Sequence, residues 1–184
     1  EFTFTIKKGS VAKPALDTTE FYFDNTVKTY TVENSEFYTV LDNSNQQTNP
    51  GSYKVRIALN NPEFSEWEDG TTDVLEYDFV INKGNYDMSA VVFENKTVTY
   101  NGSAFSLEAT NLPDGVTVTY ENNGKTAAGE YIVIAKFTGD TTNYNEIPDQ
   151  TAVLTIEKAT YNMSGVVFNG LTVIYDGNTY SLEA

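Results

Sequence analysis

The sequence predicts an all-β protein built from tandem β-sandwich repeats of about 75 residues. Three observations predict this class. A stretch of 24 residues returns 75 positions later, short alternating apolar runs are separated by turn residues, and aromatic residues are abundant, with 13 Tyr and 11 Phe. Alternating runs between turn residues are typical of strands, and aromatic side chains favour strands over helices.

The repeated stretch runs from Tyr86 to Ala109 and again from Tyr161 to Ala184, with 14 of its 24 positions identical. A fainter copy extends the period, because Ile6, Ile81 and Ile156 are 75 residues apart and each ends an alternating apolar run. A lysine follows each of these isoleucines two positions later. A fixed period of this size indicates stacked copies of one structural unit.

The period divides the chain into four segments. We expect the closing strand of a preceding repeat, a divergent repeat, a second repeat and the incomplete start of a third, at residues 1–8, 9–83, 84–158 and 159–184. A frame with two whole copies at 34–108 and 109–183 is the alternative, but lysine-glycine breaks after Ile6 and Ile81 favour the first. The chain is therefore expected to be part of a longer protein.

Turn residues separate six expected strands in the second repeat, near residues 91–93, 97–100, 104–108, 117–120, 130–137 and 152–157. Asn101-Gly102 fits a tight hairpin, because both residues tolerate positive φ. The strand near 130–137 is apolar on both faces, which predicts burial on both sides or a central position. One short helical turn is expected at 142–147. A β-grasp fold is the alternative, but it needs a helix of about ten residues that the sequence does not offer.

Composition excludes several functions. A formal charge of −15, from 11 basic and 26 acidic residues, disfavours nucleic acid and anionic lipid as partners. No apolar run approaches the ~20 residues of a membrane helix, so membrane insertion is not expected. The absence of cysteine excludes disulfides and zinc thiolates, and the absence of histidine excludes serine triads that use it. We expect no enzyme activity, no cofactor and no metal.

Acidic loops and recurring lysines leave weaker alternatives open. Glu66, Glu68, Asp69 and Asp73 lie in one loop, and residues 42–45 form another, but neither matches a known calcium-loop spacing. Solvated loops are the favoured interpretation. The lysines that follow the period, Lys8, Lys83 and Lys158, could form isopeptide bonds, but exposed linker residues are favoured.

Three aromatic residues are candidate binding residues. Trp67 is the only tryptophan, Phe64 lies beside it, and Tyr144 takes a similar place in the second repeat. Flat aromatic rings next to carboxylates could stack on a sugar. The alternative is that these rings plug the end of a sandwich.

Two further expectations concern contacts along the chain. The short connection after Ile81 predicts that Tyr86 and Met88 pack at a semi-rigid junction with the neighbouring repeat. Residues 160–184 carry apolar strand patterns without the rest of a repeat, so we expect them to add to the sheet edge of a neighbouring repeat or another chain.

The stretch LEATNLPDGVTVTYENNGKTAAGEYIVIAKFTGDTTNYNEIPDQTAVLTIEKATYNMSGVVFNG resembles the bacterial immunoglobulin-like repeats of the MBG type. The resemblance is close over residues 83–184 and diffuse over 10–82, where Phe23-Asp24-Asn25 replaces the Tyr-Asn/Asp-Gly triplet. Such repeats occur in tandem in large bacterial surface proteins and adhesins. The resemblance implies an immunoglobulin-like fold and an extracellular location at the bacterial cell surface, and it carries no catalytic residues.

These inferences predict a non-catalytic stalk or spacer segment of a bacterial, adhesin-like surface protein. Its expected partners are neighbouring repeats, with a host or glycan ligand as a possibility. The alternative is a glycan-binding accessory module of a secreted multidomain protein.

Overall fold

The structure, a computed structural model, describes residues 2–183. Glu1 and Ala184, the outermost residues of the first and last predicted segments, lie outside it. Within residues 2–183 the chain forms twelve strands in several sheets and no helix, which confirms the all-β class and is consistent with a β-sandwich. In this described range no helix has the length and apolar character needed to cross a membrane.

The first eight strands precede residue 83. They are β1 (Gly9–Val11), β2 (Phe21–Tyr22), β3 (Lys28–Thr29), β4 (Tyr38–Val40), β5 (Gln46–Gln47), β6 (Gly51–Leu59), β7 (Ser65–Trp67) and β8 (Leu75–Asn82). Four of them form a sheet in the order β2-β8-β6-β4, and the others form the pairs β1-β7 and β3-β5. Strands β1 and β7 run parallel, as do β2 and β8, whereas β6 is antiparallel to both of its neighbours.

Four strands follow: β9 (Lys96–Thr99), β10 (Thr117–Glu121), β11 (Gly129–Thr138) and β12 (Gln150–Glu157). They form a sheet in the order β10-β11-β12-β9, in which β9 and β12 run parallel. The strands predicted at 91–93 and 104–108 were wrong in extent, because only single bridges, Val92 to Thr110 and Phe105 to Lys125, form there.

Two local predictions, the hairpin at Asn101-Gly102 and the helical turn at 142–147, hold only in part. Asn101 accepts the Ser103 N–H at 2.9 Å and Gly102 has a φ of 84°, so a tight turn forms, but no hairpin strand follows it. The single helical turn expected at 142–147 forms slightly earlier, where the Tyr144 N–H donates to the Asp140 carbonyl at 3.1 Å, and no helix continues from it.

Alternation along the long strands decides which side chains are buried. In β6, Val55, Ile57 and Leu59 are buried, because successive side chains of a strand point to opposite faces. In β11 the expectation of burial on both sides was wrong, because Ile132 is 61% exposed. Its central position was predicted correctly, since β11 lies between β10 and β12.

The chain divides into two compact units, each drawn from separate stretches of sequence. The first comprises the described residues up to Val92 together with Ala109–Thr119 and Ala135–Asp149, and the second comprises Phe93–Glu108, Tyr120–Ile134 and the residues from Gln150 onward. The repeat boundaries inferred from the sequence stay a prediction.

The core of the first unit is rich in aromatic rings. Its buried residues are Val11, Tyr30, Tyr38, Val55, Ile57, Leu59, Trp67, Phe79 and Ile81. Phe79 lies at its centre, with Phe21 at 5.1 Å edge-on and Tyr30 at 5.9 Å between ring centroids. Edge-to-face aromatic pairs contribute about 0.5–1.5 kcal/mol beyond the burial of their area.

The core of the second unit is smaller and mainly aliphatic. Its buried residues are Leu107, Val133, Ala152, Leu154 and Ile156. Phe93 and Tyr120, with ring centroids 5.9 Å apart, are partly buried against it. Full burial of one aliphatic side chain contributes roughly 1.5–3 kcal/mol, so a small set of residues is enough to hold this sheet.

Residues 158–183 form no strand in the structure and are exposed throughout. Their apolar side chains include Tyr161, Ile174 and Tyr175, each more than 90% exposed. Phe2, Phe4 and Ile6 at the other end of the described chain are also exposed.

Candidate functional site

Trp67 is fully buried in the core of the first unit. It ends β7, where it pairs in register with Val11 of β1. Its ring packs against Tyr38, with centroids 5.8 Å apart, and its indole N–H donates to the Asp73 carbonyl at 2.9 Å. A ring with no exposed face cannot stack on a sugar while the core stays closed.

The other two candidate binding residues take different positions. Phe64 is 76% exposed, and its backbone carbonyl accepts the Gly9 N–H at 2.9 Å. Tyr144 packs instead on two aromatic rings, Tyr86 and Phe23. The three candidates therefore do not form a single stacking platform: one is a core residue, one is exposed, and one belongs to a packed aromatic cluster.

We name the cluster of Phe23, Tyr86 and Tyr144 the aromatic clasp. The sequence predicted only part of this cluster. The rings of Tyr86 and Tyr144 stack with centroids 4.2 Å apart, and Phe23 meets Tyr144 edge-on at 5.2 Å. Tyr86 packs on Tyr144, which lies in the same predicted repeat, so the semi-rigid junction expected from Tyr86 and Met88 stays a prediction. Phe23 is only 8% exposed, and Tyr144 packs against its ring.

Backbone hydrogen bonds close the clasp around Gly84. The Gly84 N–H donates to the Asn143 carbonyl at 3.0 Å, and the Asn145 N–H donates to the Gly84 carbonyl at 2.9 Å. The Tyr86 hydroxyl oxygen accepts the Asp140 N–H at 2.9 Å. These bonds hold the 139–145 loop against the segment that follows β8.

Two glycines leave the space that the clasp needs. A Cβ at Gly84 would lie 2.3 Å from the carbonyl oxygen of Phe23, and one at Gly139 would lie 2.5 Å from the ring of Tyr86. Glycine is suited to such close approaches because it has no Cβ. The departure from the triplet pattern at Phe23 and the change from Gly84 to Ala159 were the sequence signals that could have revealed the clasp.

Two of the three recurring lysines make equivalent contacts to the backbone. Lys8 Nζ donates to the Pro62 carbonyl at 2.6 Å, and Lys83 Nζ donates to the Thr141 carbonyl at 2.5 Å. Both lysines are exposed, and each of these partners is a main-chain oxygen, which cannot form an isopeptide bond. These contacts fit the interpretation of Lys8 and Lys83 as exposed linker residues.

One aspartate in each acidic loop has a basic partner. Asp69 pairs with Lys13 at 2.5 Å and also accepts hydrogen bonds from Thr71. The hydrogen bond from Lys13, followed by those from Thr71, lowers the pKa of Asp69 to about 2. In the other loop, Asp42 lies 3.2 Å from Arg56. Among residues 2–183 no group of three or more acidic side chains is placed to hold a metal ion.

Asp17 stabilises the loop that follows β1. Its carboxylate accepts the backbone N–H groups of Thr31 at 2.6 Å and Thr19 at 2.9 Å. Partial burial opposes ionisation of Asp17, but the hydrogen bonds from Thr19 and Thr31 outweigh it and lower its pKa to about 2. The low pKa of Asp17 is thus explained by loop hydrogen bonds, whereas a lysine partner is the leading cause for Asp69.

These geometries define an all-β protein in which two of the three candidate rings, Trp67 and Tyr144, pack against other aromatic side chains. A comparison with models of known protein families found no match, and a comparison with curated protein sequences found no significant match.

Proposed function

We propose that the chain is a non-catalytic stalk or spacer segment of a bacterial, adhesin-like surface protein, made of tandem immunoglobulin-like repeats of the MBG type. One observation carries the proposal: the strands of residues 9–83 and of residues 84–157 follow the same order. A spacer needs one stable unit repeated along the chain, and the resemblance in sequence supplies the surface location.

The main sheets correspond strand by strand. The order β2-β8-β6-β4 matches the order β9-β12-β11-β10, with a parallel pair at one edge in both. The closing strands keep the 75-residue period, since Ile81 of β8 and Ile156 of β12 are both 2% exposed. Equivalent residues therefore occupy equivalent core positions.

The minor pairings correspond as well. The parallel β1-β7 pair places Gly9 opposite Ser65, and the second half has a parallel bridge between Gly84 and Tyr144. The antiparallel β3-β5 pair has its counterpart in the bridge between Phe105 and Lys125. Two copies of one pairing scheme support a tandem repeat, which is the arrangement expected of a spacer.

An asparagine makes a similar pair of hydrogen bonds in each half of the chain, but the donor and acceptor atoms differ. In the first half, the Tyr30 N–H donates to the Asn45 carbonyl at 2.8 Å, and Asn45 Nδ2 donates to the Tyr30 carbonyl at 3.2 Å. In the second half, Asn123 makes both bonds to Leu107 with its side chain, at 2.9 and 2.8 Å. The same contact made by different atoms supports a common ancestor for the two halves.

The chemistry of the surface agrees with a passive role. A net charge of −15 favours solubility and repulsion between neighbouring molecules, which suits a protein displayed at high density. The glycan-binding alternative gains no support from Trp67, because its ring is buried.

Residues 160–183 stay exposed with apolar side chains, which supports the proposal that they add to a sheet edge of a neighbouring repeat or another chain.

Stretching the chain from its two ends in a force spectrometer tests the proposal. Two separate unfolding events are expected, each releasing about 75 residues, or roughly 250 Å of extended chain. A single event that releases both halves together would contradict a spacer made of independent repeats.

A further inference from the structure

We propose that Phe23 and Tyr86 form a docking surface that fixes Tyr144 and the rest of the 139–145 loop onto the end of the β2-β8-β6-β4 sheet, and that Gly84 is the residue that permits this docking. The partner of the surface is a loop of this same chain. The proposal does not depend on the proposed function, because it concerns only contacts inside the first compact unit.

The docking surface starts at Phe23, directly after β2. The Phe23 N–H donates to the Asn82 carbonyl at 3.0 Å, which extends the parallel pairing of β2 with β8. The Phe23 carbonyl oxygen then faces Gly84, where a Cβ would approach to 2.3 Å. This obstacle is a backbone atom, so no side-chain rotation could relieve it.

The loop meets this surface with rings and backbone together. Tyr144 packs edge-on against Phe23 and stacks on Tyr86, while the backbone of Gly84 bonds to both Asn143 and Asn145. A shift of the Gly84 backbone would therefore strain the two hydrogen bonds and separate the stacked rings at the same time.

The chain contains its own comparison. Gly9 lies 75 residues before Gly84 and its N–H makes the equivalent bond to the Phe64 carbonyl, yet a Cβ there would be 3.9 Å from its nearest neighbour, an ordinary contact. Of these two matching positions, Gly84 is therefore the one where a side chain would collide with the backbone.

Hydrogen exchange on the full chain tests the role of Gly84. We expect Gly84→Ala to speed exchange of the Asp140 and Asn145 amides at least about tenfold, because both are protected by the docked loop. The matched control Gly9→Ala should leave these amides unchanged. Amides of the core residues Val55 and Val133 should keep their protection in both variants.

Unchanged exchange at Asp140 and Asn145 in Gly84→Ala would overturn the proposal. If this variant loses protection everywhere or fails to fold, Tyr144→Ala decides, because it removes the ring and leaves the backbone intact. Docking then predicts faster exchange at Gly84 and Asn145 and stronger hydroxyl-radical labelling of Phe23. If Tyr144→Ala alters neither the exchange of these amides nor the labelling of Phe23, the proposal is also overturned.

Discussion

Tyr53 and Tyr131, 78 positions apart, make the same hydrogen bond: each phenol donates to the carbonyl of the residue four positions before it. The distances are 2.9 Å to Asn49 and 3.0 Å to Ala127. Each tyrosine is the third residue of a long central strand, β6 or β11. The bond ties the start of the strand to the turn that precedes it.

Replacing either tyrosine by phenylalanine should therefore have the same effect. Each change removes one partly exposed hydrogen bond and should lower the free energy of unfolding by about 0.5–1.5 kcal/mol. Because the two tyrosines lie in separate proposed repeats, the double variant should lower the free energy of unfolding of each repeat by that repeat's own value. Urea unfolding measures this, with Tyr22→Phe as a control whose phenol bonds only to exposed Glu20. A loss at one position and none at the other would contradict their equivalence.

Removal of the Trp67 side chain should be strongly destabilising. Trp67→Ala empties a fully buried site and leaves the Asp73 carbonyl without its donor, so we expect a loss of about 3–5 kcal/mol in the free energy of unfolding. Phe64→Ala, at an exposed site, should stay within about 0.5 kcal/mol. Trp67 fluorescence should show a buried emission that soluble glycans leave unchanged. A shift of the Trp67 emission on titration with a glycan would support the alternative of a glycan-binding module.

The amide of Asn123 should be essential to its contact with Leu107. In Asn123→Asp the donor to the Leu107 carbonyl is lost, and a carboxylate faces that buried carbonyl. The expected cost is about 1–3 kcal/mol in thermal or urea unfolding. Asn101→Asp is the matched control, because Asn101 only accepts a hydrogen bond from Ser103 and aspartate accepts equally well. Equal effects of the two changes would contradict this account.

Stability should fall in acid. The folded pKa values of Asp17, Asp24 and Asp69 are lowered to about 2, so the unfolded chain binds more protons than the folded one between pH 4 and pH 2. The stability that these carboxylates contribute is complete above about pH 4 and is lost as the pH falls toward 2. Asp17→Asn should flatten part of this slope in urea unfolding followed across pH. An unchanged slope in Asp17→Asn would contradict the assignment.

The sequence predicted long strands better than short ones. The strands near 130–137 and 152–157 were found with small changes of boundary, because alternation over eight or more residues is a strong signal. The stretch at 104–108 was predicted as a strand from the same kind of pattern. It forms only a bridge, because the Asn123 side chain takes the place of a backbone partner at Leu107.

The clasp shows what a repeat pattern could not reveal. Tyr86 was expected to pack because the connection is short, but its partner could not be named. The close approach of Gly84 to Phe23 joins residues 61 positions apart, and only the three-dimensional pairing of β2 with β8 brings them together. The position of Trp67 was left open for a similar reason, since its burial depends on the register of β7 with β1.

The most direct measurement is the amide NMR spectrum of residues 84–158 produced alone. Our account predicts a dispersed spectrum that overlays that of the full chain along β11 and β12, with differences near Gly84 and Tyr144, where Phe23 is missing. A collapsed spectrum typical of an unfolded chain would contradict the claim that this stretch is an autonomous repeat.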